Sequence, residues 1–290
     1  VDKLGEKVSY FRRSKGLTIK ELAENICDDS TIYRLEKGKQ LPRIEILNDI
    51  CMKLEIPLKA LFPFNAEVQK LKKLCREFTY TEDYLALELV LEECNKVKEE
   101  LSSTFSKKEF KKHIDWHKSI LLHKKENKLD DALNILKSLV NLENCTSELD
   151  INILNSTGLI YLSYNNVDDA YNIYKVIYRK IKTQHFLEDP TLLPRVGYNL
   201  ANCMYRLKLY DESLKVCQEI LYYIESNQLI YSLGEIYHMI GMLSKKKGNY
   251  TESKEAFNNA IIIFTLNKNE TNLNRAKLDL SYLNVLLKDH

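Results

Sequence analysis

The sequence predicts an all-α chain: an N-terminal five-helix domain built on a helix-turn-helix, followed by a right-handed superhelix of repeated helical hairpins. Three observations carry that expectation. The 290 residues hold only 8 Gly and 5 Pro, so long stretches lack either helix breaker. Two short helical segments near the N-terminus stand only a few residues apart. Further along, three segments align with one another without gaps, the mark of a repeat architecture.

The length exceeds the usual size of one domain, so two are expected. With 44% hydrophobic and 29% charged residues the composition is that of a soluble globular protein. No run of about 18 apolar residues occurs, so no membrane span is expected, and the polar N-terminus has no signal-peptide core. Seven cysteines, an odd number without a CxxC pair, read as reduced thiols in the cytoplasm. The formal net charge of +2 says little about partners. Any contact with nucleic acid has to be argued from where the charges sit.

Residues 4–14 place Leu4, Val8 and Phe11 at helical spacing, and Gly16 closes that helix. Thr18-Ile19-Lys20-Glu21 is a capping box, with Leu22 and Ala23 as the packed face of a short second helix. A break of three or four residues leads to a third helix, roughly 29–37, stopped by Gly38. Two short helices so separated pack at a steep angle, the helix-turn-helix geometry.

The pattern T-x-x-E-L-A, a turn, then S-T-I-x-R-L-E-x-G resembles the repressor-type helix-turn-helix of the Cro/C1 family over residues 4–62, including a helix 44–54. The resemblance implies that Leu22, Ala23, Ile32 and Leu35 are core and that Glu36 is structural. It implies that the third helix enters the major groove of double-stranded DNA, with Ser30, Thr31, Tyr33 and Arg34 at base edges. Thr18, Lys20, Lys39 and Arg43 then flank the helices where phosphates lie. Ile19 stands where the family often has Gln. For Asp28-Asp29 two readings stay open: one of them caps the third helix, or Asp29 accepts from a cytosine amino group.

The expected domains are 1–62, which the resemblance makes DNA-binding, a linker helix over 63–80 merging into a first degenerate repeat, and a repeat domain over 66–290, whose expected peptide binding and dimerisation follow from the wall and the wider resemblance below. The aligned segments are 155–178, 198–221 and 238–261. They resemble the tetratricopeptide repeat, a helical hairpin with small residues where its helices cross. The small first-helix position is Gly158, Ala201 and Gly241, and twelve residues on stand Ala170, Ser213 and Ser253. Tyr174, Cys217 and Phe257 follow four later. Small residues are needed because the helices nearly touch there. An earlier unit carries Trp116, Leu129, Ala132 and Leu136, a capping unit spans about 67–94, and 272–288 reads as a final solvating helix.

First helices of such repeats line a concave wall. One stripe holds His117, Asn155, Tyr198 and His238; three residues earlier it holds Ile114, Asn152, Arg195 and Glu235. Four later it holds Leu121, Leu159, Asn202 and Met242, with Asn199 at the edge. Asn amides donate and accept, so stacked asparagines suit an extended peptide backbone. Leu159 and Met242 offer apolar pockets.

G-L-T-I-K-E-L-A-E-N-I-C near the N-terminus and G-Y-N-L-A-N-C-M-Y-R-L-K-L-Y-D-E-S-L in the repeats are similar to the PlcR-type quorum-sensing regulators of the Rgg/Rap/NprR/PlcR/PrgX group. That resemblance implies a homodimer, a short signalling peptide as effector, a pseudo-palindromic operator and transcriptional activation. Asn155 and Asn199 match peptide-binding asparagines of the group. Glu235 matches a neighbouring polar contact, and Arg76 partly matches a basic position. The competing reading is a repressor whose repeats bind a protein partner. An enzyme is not expected. No Gly-rich phosphate loop, HExxH or Cys/His cluster occurs, and His113 and His117, four apart on one helix, lack a third ligand in the sequence pattern. No cofactor and no metal are expected.

Overall fold

The computed structural model describes residues 2–56, 58, 61, 66–101, 103–183 and 187–287. Among them are fifteen α-helices and no strand. The chain forms two compact units, residues 1–111 and 112–290.

The first unit opens with α1 (Asp2–Ser14), α2 (Ile19–Ala23), α3 (Asp29–Glu36) and α4 (Ile44–Leu54). Each boundary has a local cause. Gly16 at φ +72° turns the chain out of α1, its amide bonding the Arg13 carbonyl and that of Leu17 the Arg12 carbonyl. Thr18 Oγ1 accepts from the Glu21 amide while the Glu21 carboxylate accepts from the Thr18 amide. Gly38, at φ +67°, ends α3 in the same way as Gly16 ends α1. The α2–α3 connector is Glu24–Asp28, longer than the expected three or four residues. Asn25 takes a left-handed backbone at φ 64° and stops α2 at Ala23.

Leu4, Val8, Leu22, Ala23, Ile32, Leu35, Leu47, Ile50, Leu54 and Leu61 form one buried core. The expected fifth helix falls on a segment of which only Leu58 and Leu61 are among the described residues. Next come α5 (Ala66–Tyr80) and α6 (Tyr84–Glu100), an antiparallel hairpin whose turn is capped by the Asp83 carboxylate on the Ala86 amide. α5 and α6 belong to the first compact unit. The division at 111/112 falls within α7 (Thr104–Lys124).

The second unit continues with α8 (Leu129–Leu139), α9 (Glu148–Ser163), α10 (Val167–Lys182), α11 (Leu192–Arg206), α12 (Tyr210–Ser226), α13 (Leu233–Lys246), α14 (Tyr250–Leu266) and α15 (Glu270–Leu286). From α8 onward consecutive helices pack on one another around a long core, with a separate small cluster of Ala260, Phe264 and Ala276 between α14 and α15. The repeat register has a steric cause. A Cβ on Gly158 would stand 2.5 Å from the Tyr174 ring, and one on Gly241 would stand 2.6 Å from Phe257. Serine replaces alanine at two crossings without leaving an orphan hydroxyl: Ser213 donates to the Ala201 carbonyl at 2.8 Å and Ser253 to that of Gly241 at 2.7 Å. Left-handed residues end the first helices at Asn165, Lys208 and Gly248.

The Tyr174 hydroxyl also donates to the Asn155 carbonyl at 3.0 Å, so its ring cannot swing away freely. Gly158→Ala is therefore expected to lower unfolding free energy by about 2 kcal/mol, read by urea denaturation. An unchanged midpoint would mean that α9 and α10 are not tightly apposed.

Candidate functional site

Two places collect the residues singled out above, one in each unit. In the first, α3 turns Ile32 and Leu35 into the core and presents Asp29, Ser30, Tyr33 and Arg34 to solvent, with Thr31 half-buried. Tyr33 is 47% exposed, unusual for a large aromatic ring with no core role. Arg34 donates only a long 3.4 Å bond to Gln40, so its guanidinium is available. Thr18, Lys20, Lys39 and Arg43 are all exposed around α2 and α3. Thr18 already spends its hydroxyl oxygen on the α2 cap. Asp28 occupies the N-cap position of α3, but its side chain makes no capping bond, and Asp29 lies inside the first turn. The capping reading of this pair thus holds for position and fails for chemistry.

What fixes α3 is a buried ion pair. Arg12 on α1 reaches Glu36 through Nε at 2.5 Å and a terminal nitrogen at 2.8 Å, and donates to the Leu17 carbonyl at 2.7 Å. The structural role expected of Glu36 is this clamp of α3 to α1.

In the second unit the first helices place the asparagines together. The Asn199 amide on α11 donates to the Asn155 side-chain oxygen on α9 at 2.9 Å, and both residues are under 10% exposed. One turn earlier, Arg195 donates to the Asn152 side-chain oxygen at 2.9 Å and pairs with Asp189 at 3.0 Å. Tyr198, Asn202, Leu159 and Met242 are half-buried along the same helices.

α15 enlarges the site. Expected only as a solvating tail, it meets α13 with a polar stripe. Asn272 donates to Glu235 at 3.4 Å, and Asp279 lies 2.8 Å from His238 Nε2. Burial pushes the Glu235 carboxyl above its ordinary pKa. Burial also pushes His238 below the usual imidazole value although Asp279 pulls it up. Arg275 adds a positive field that opposes the upward shift burial imposes on the Tyr198 phenol. The omission has a sequence signal, since Asn272, Arg275 and Asp279 recur at i, i+3 and i+7, one helix face.

Three expected wall residues behave otherwise. His117 is fully buried, its ring 4.3 Å from those of both His113 and Trp116, so it is core. Ile114 and Leu121 are likewise buried. The cause is Trp116, whose indole N–H donates to Ser156 on α9 at 2.8 Å and draws this part of α7 against that helix. Arg76 is exposed on α5, in the first unit.

The match to known families follows the same two parts. Residues 70–277 match the RNPP family C-terminal domain, and residues 8–61 match the helix-turn-helix family. No curated protein sequence matches the chain. Among solved structures, Bacillus thuringiensis PlcR in complex with the peptide PapR7 and DNA is similar at 21% identity and TM-score 0.81, covering 95% of this chain and 99% of that one. S. thermophilus ComR in complex with DNA and its signalling peptide ComS is similar at 14% identity and TM-score 0.65, covering 97% and 99%. The Streptococcus dysgalactiae pheromone receptor Rgg2 is similar at 16% identity and TM-score 0.64, covering 96% and 99%. At these identities the likeness is one of fold. With the C-terminal family domain spanning most of its length behind a helix-turn-helix, the chain belongs to the RNPP family.

Proposed function

We propose that this protein is a cytoplasmic, DNA-binding transcription regulator, an activator, controlled by a short signalling peptide held on the first helices of its repeats. Residues 1–62 are the reading head and residues 66–290 bind the peptide and dimerise. A homodimer sets two α3 helices about 34 Å apart on a pseudo-palindromic operator. Ser30, Thr31, Tyr33, Arg34 and Asp29 face the bases, and Thr18, Lys20, Lys39 and Arg43 the phosphates. The peptide lies along Asn155, Leu159, Tyr198, Asn199, Asn202, Glu235, His238 and Met242. Arg76 joins this set on the family resemblance alone.

The observation that carries the reading is the Asn155–Asn199 pair. Two primary amides from successive repeats, bonded to each other in a nearly closed environment, exchange that one bond for several with a peptide backbone. The relatives solved with a peptide and DNA support the same reading. Peptide and operator affinity are then linked by a coupling of about 1–3 kcal/mol, roughly 5- to 150-fold.

The test uses the full-length protein to retain small peptides from the cell that makes it, identified by mass spectrometry. Asn155→Ala combined with Asn199→Ala is expected to weaken retention at least tenfold and leave the thermal midpoint within a few degrees. Retention of a protein partner, undiminished in the double variant, or an operator affinity unmoved by a saturating peptide, overturns the proposal. No helix among the described residues is long and apolar enough to cross a membrane.

A further inference from the structure

Two of the seven cysteines face each other. Cys75 on α5 and Cys94 on α6 are both fully buried, with their sulfurs 3.9 Å apart in a thiol–thiol hydrogen bond. No other pair of these thiols makes such a contact among the described residues. The hairpin around them is short and well anchored. Its turn is capped at Asp83, and Leu71, Leu87, Leu91 and Val97 are buried with the two sulfurs.

We propose that Cys75 and Cys94 are a reversible modification site, closing under peroxide to a disulfide that joins α5 to α6 within their hairpin. Closing it needs an approach of about 2 Å, from 3.9 Å to a bonded sulfur separation of about 2.05 Å, which lies within the swing of two side-chain rotations.

The shared hydrogen bond makes the thiols unequal. Either sulfur can donate in this bond; with Cys75 as the donor, Cys75 is held above the ordinary thiol range and Cys94 below it. In the proposed step Cys94 is the attacking sulfur and Cys75 the resolving one. The Cys94 thiolate attacks one peroxide oxygen and the O–O bond breaks. One water leaves with a proton, and Cys94 becomes a sulfenic acid. Cys75 sulfur then displaces the sulfenic hydroxyl, which departs as a second water with the Cys75 proton. In sum, two thiols and one hydrogen peroxide give one disulfide and two waters, and a cellular dithiol reverses the step. Full burial makes the step slow and selective: only a small oxidant reaching the hairpin as it breathes can start it.

The test treats the full-length, reduced protein with hydrogen peroxide, alkylates the remaining thiols and maps tryptic peptides without reductant. Trypsin cuts after Arg76, so a disulfide joins peptide 74–76 to peptide 77–96, and that linked pair is the expected product. It should vanish on adding dithiothreitol. Closing a loop of this length is expected to raise the unfolding midpoint by roughly 5 °C or more over the reduced protein. Cys75→Ser should leave a Cys94 sulfenic acid that dimedone traps, and Cys94→Ser should leave none at Cys75. If either variant fails to fold, the wild-type peptide map decides alone. Cys75 and Cys94 both alkylated after peroxide, either one linked to a different cysteine, or a bound metal ion that shields both until it is chelated, overturns the proposal.

Discussion

Gly5→Ala is expected to be the most damaging single methyl in the reading head, costing about 3–5 kcal/mol of stability. A Cβ at Gly5 would stand 2.1 Å from the Leu35 carbonyl oxygen and 3.1 Å from the Glu36 carbonyl carbon, both on α3. These are backbone atoms in a hydrogen-bonded helix, so neither side can turn aside. The variant must push α1 and α3 apart, which opens the core around Leu4, Val8, Ile32 and Leu35 and lengthens the Arg12–Glu36 contact. At Gly158 the obstacle is a side chain, and the expected loss is smaller. Guanidinium denaturation of both variants checks the order. A Gly5→Ala protein as stable as its parent would show that the α1–α3 approach is looser than described.

Glu36→Gln is expected to cost about 3 kcal/mol, because it strands a buried guanidinium opposite a neutral amide. Arg12 and Glu36 expose only 9% and 7% of their side chains, so water cannot replace the lost partner. Burial raises the Glu36 carboxyl pKa, but hydrogen bonds from Arg12 and Ser9 outweigh it and leave the group below its ordinary value. A carboxyl depressed on folding stabilises the native state above its unfolded value, about 4.3, and that contribution fades as pH falls through the lower folded value. Stability should therefore drop steeply below about pH 4 in the parent and less steeply in Glu36→Gln. Parallel pH profiles for the two proteins would remove Glu36 from the acid response. Replacing both partners by methionine should recover much of the loss, since an apolar pair carries no stranded charge.

Helix positions and repeat register were legible in the residues. The bounds expected for α4 match the observed ones. The small positions at 158, 201 and 241 fall where the helices cross, with Ala170, Ser213 and Ser253 opposite. Cys217, a poor match to the aromatic pattern, is fully buried all the same, because a thiol packs as a small apolar group. Less legible were the ends of local motifs. Asp28 has the right residue type at the right place for a cap, yet whether its side chain bends back depends on rotamer and neighbours.

The wall was only half legible. The repeat alignment puts Asn155 and Asn199 on first helices, but it does not reveal that they bond to each other. It also assigns His117 to the wall, because position within a repeat ignores the neighbour that covers it. Trp116 and its bond to Ser156 decide that matter. The stripe on α15 escaped for a related reason: a terminal helix matches no repeat, so its Asn272 and Asp279 gained meaning only once α13 lay beside them.

Capping boxes, left-handed stops and the demand for small residues at crossings act within a turn or between sequence neighbours, and for these the order of amino acids alone is enough: an all-α chain, a helix-turn-helix, hairpins in a set register. Which polar face meets which, and which histidine is sealed from water, depends on helices roughly forty residues apart packing side by side, where burial and pairing energies compete. That contest is resolved in three dimensions, and the asparagine pair and the α13–α15 contacts are its outcome.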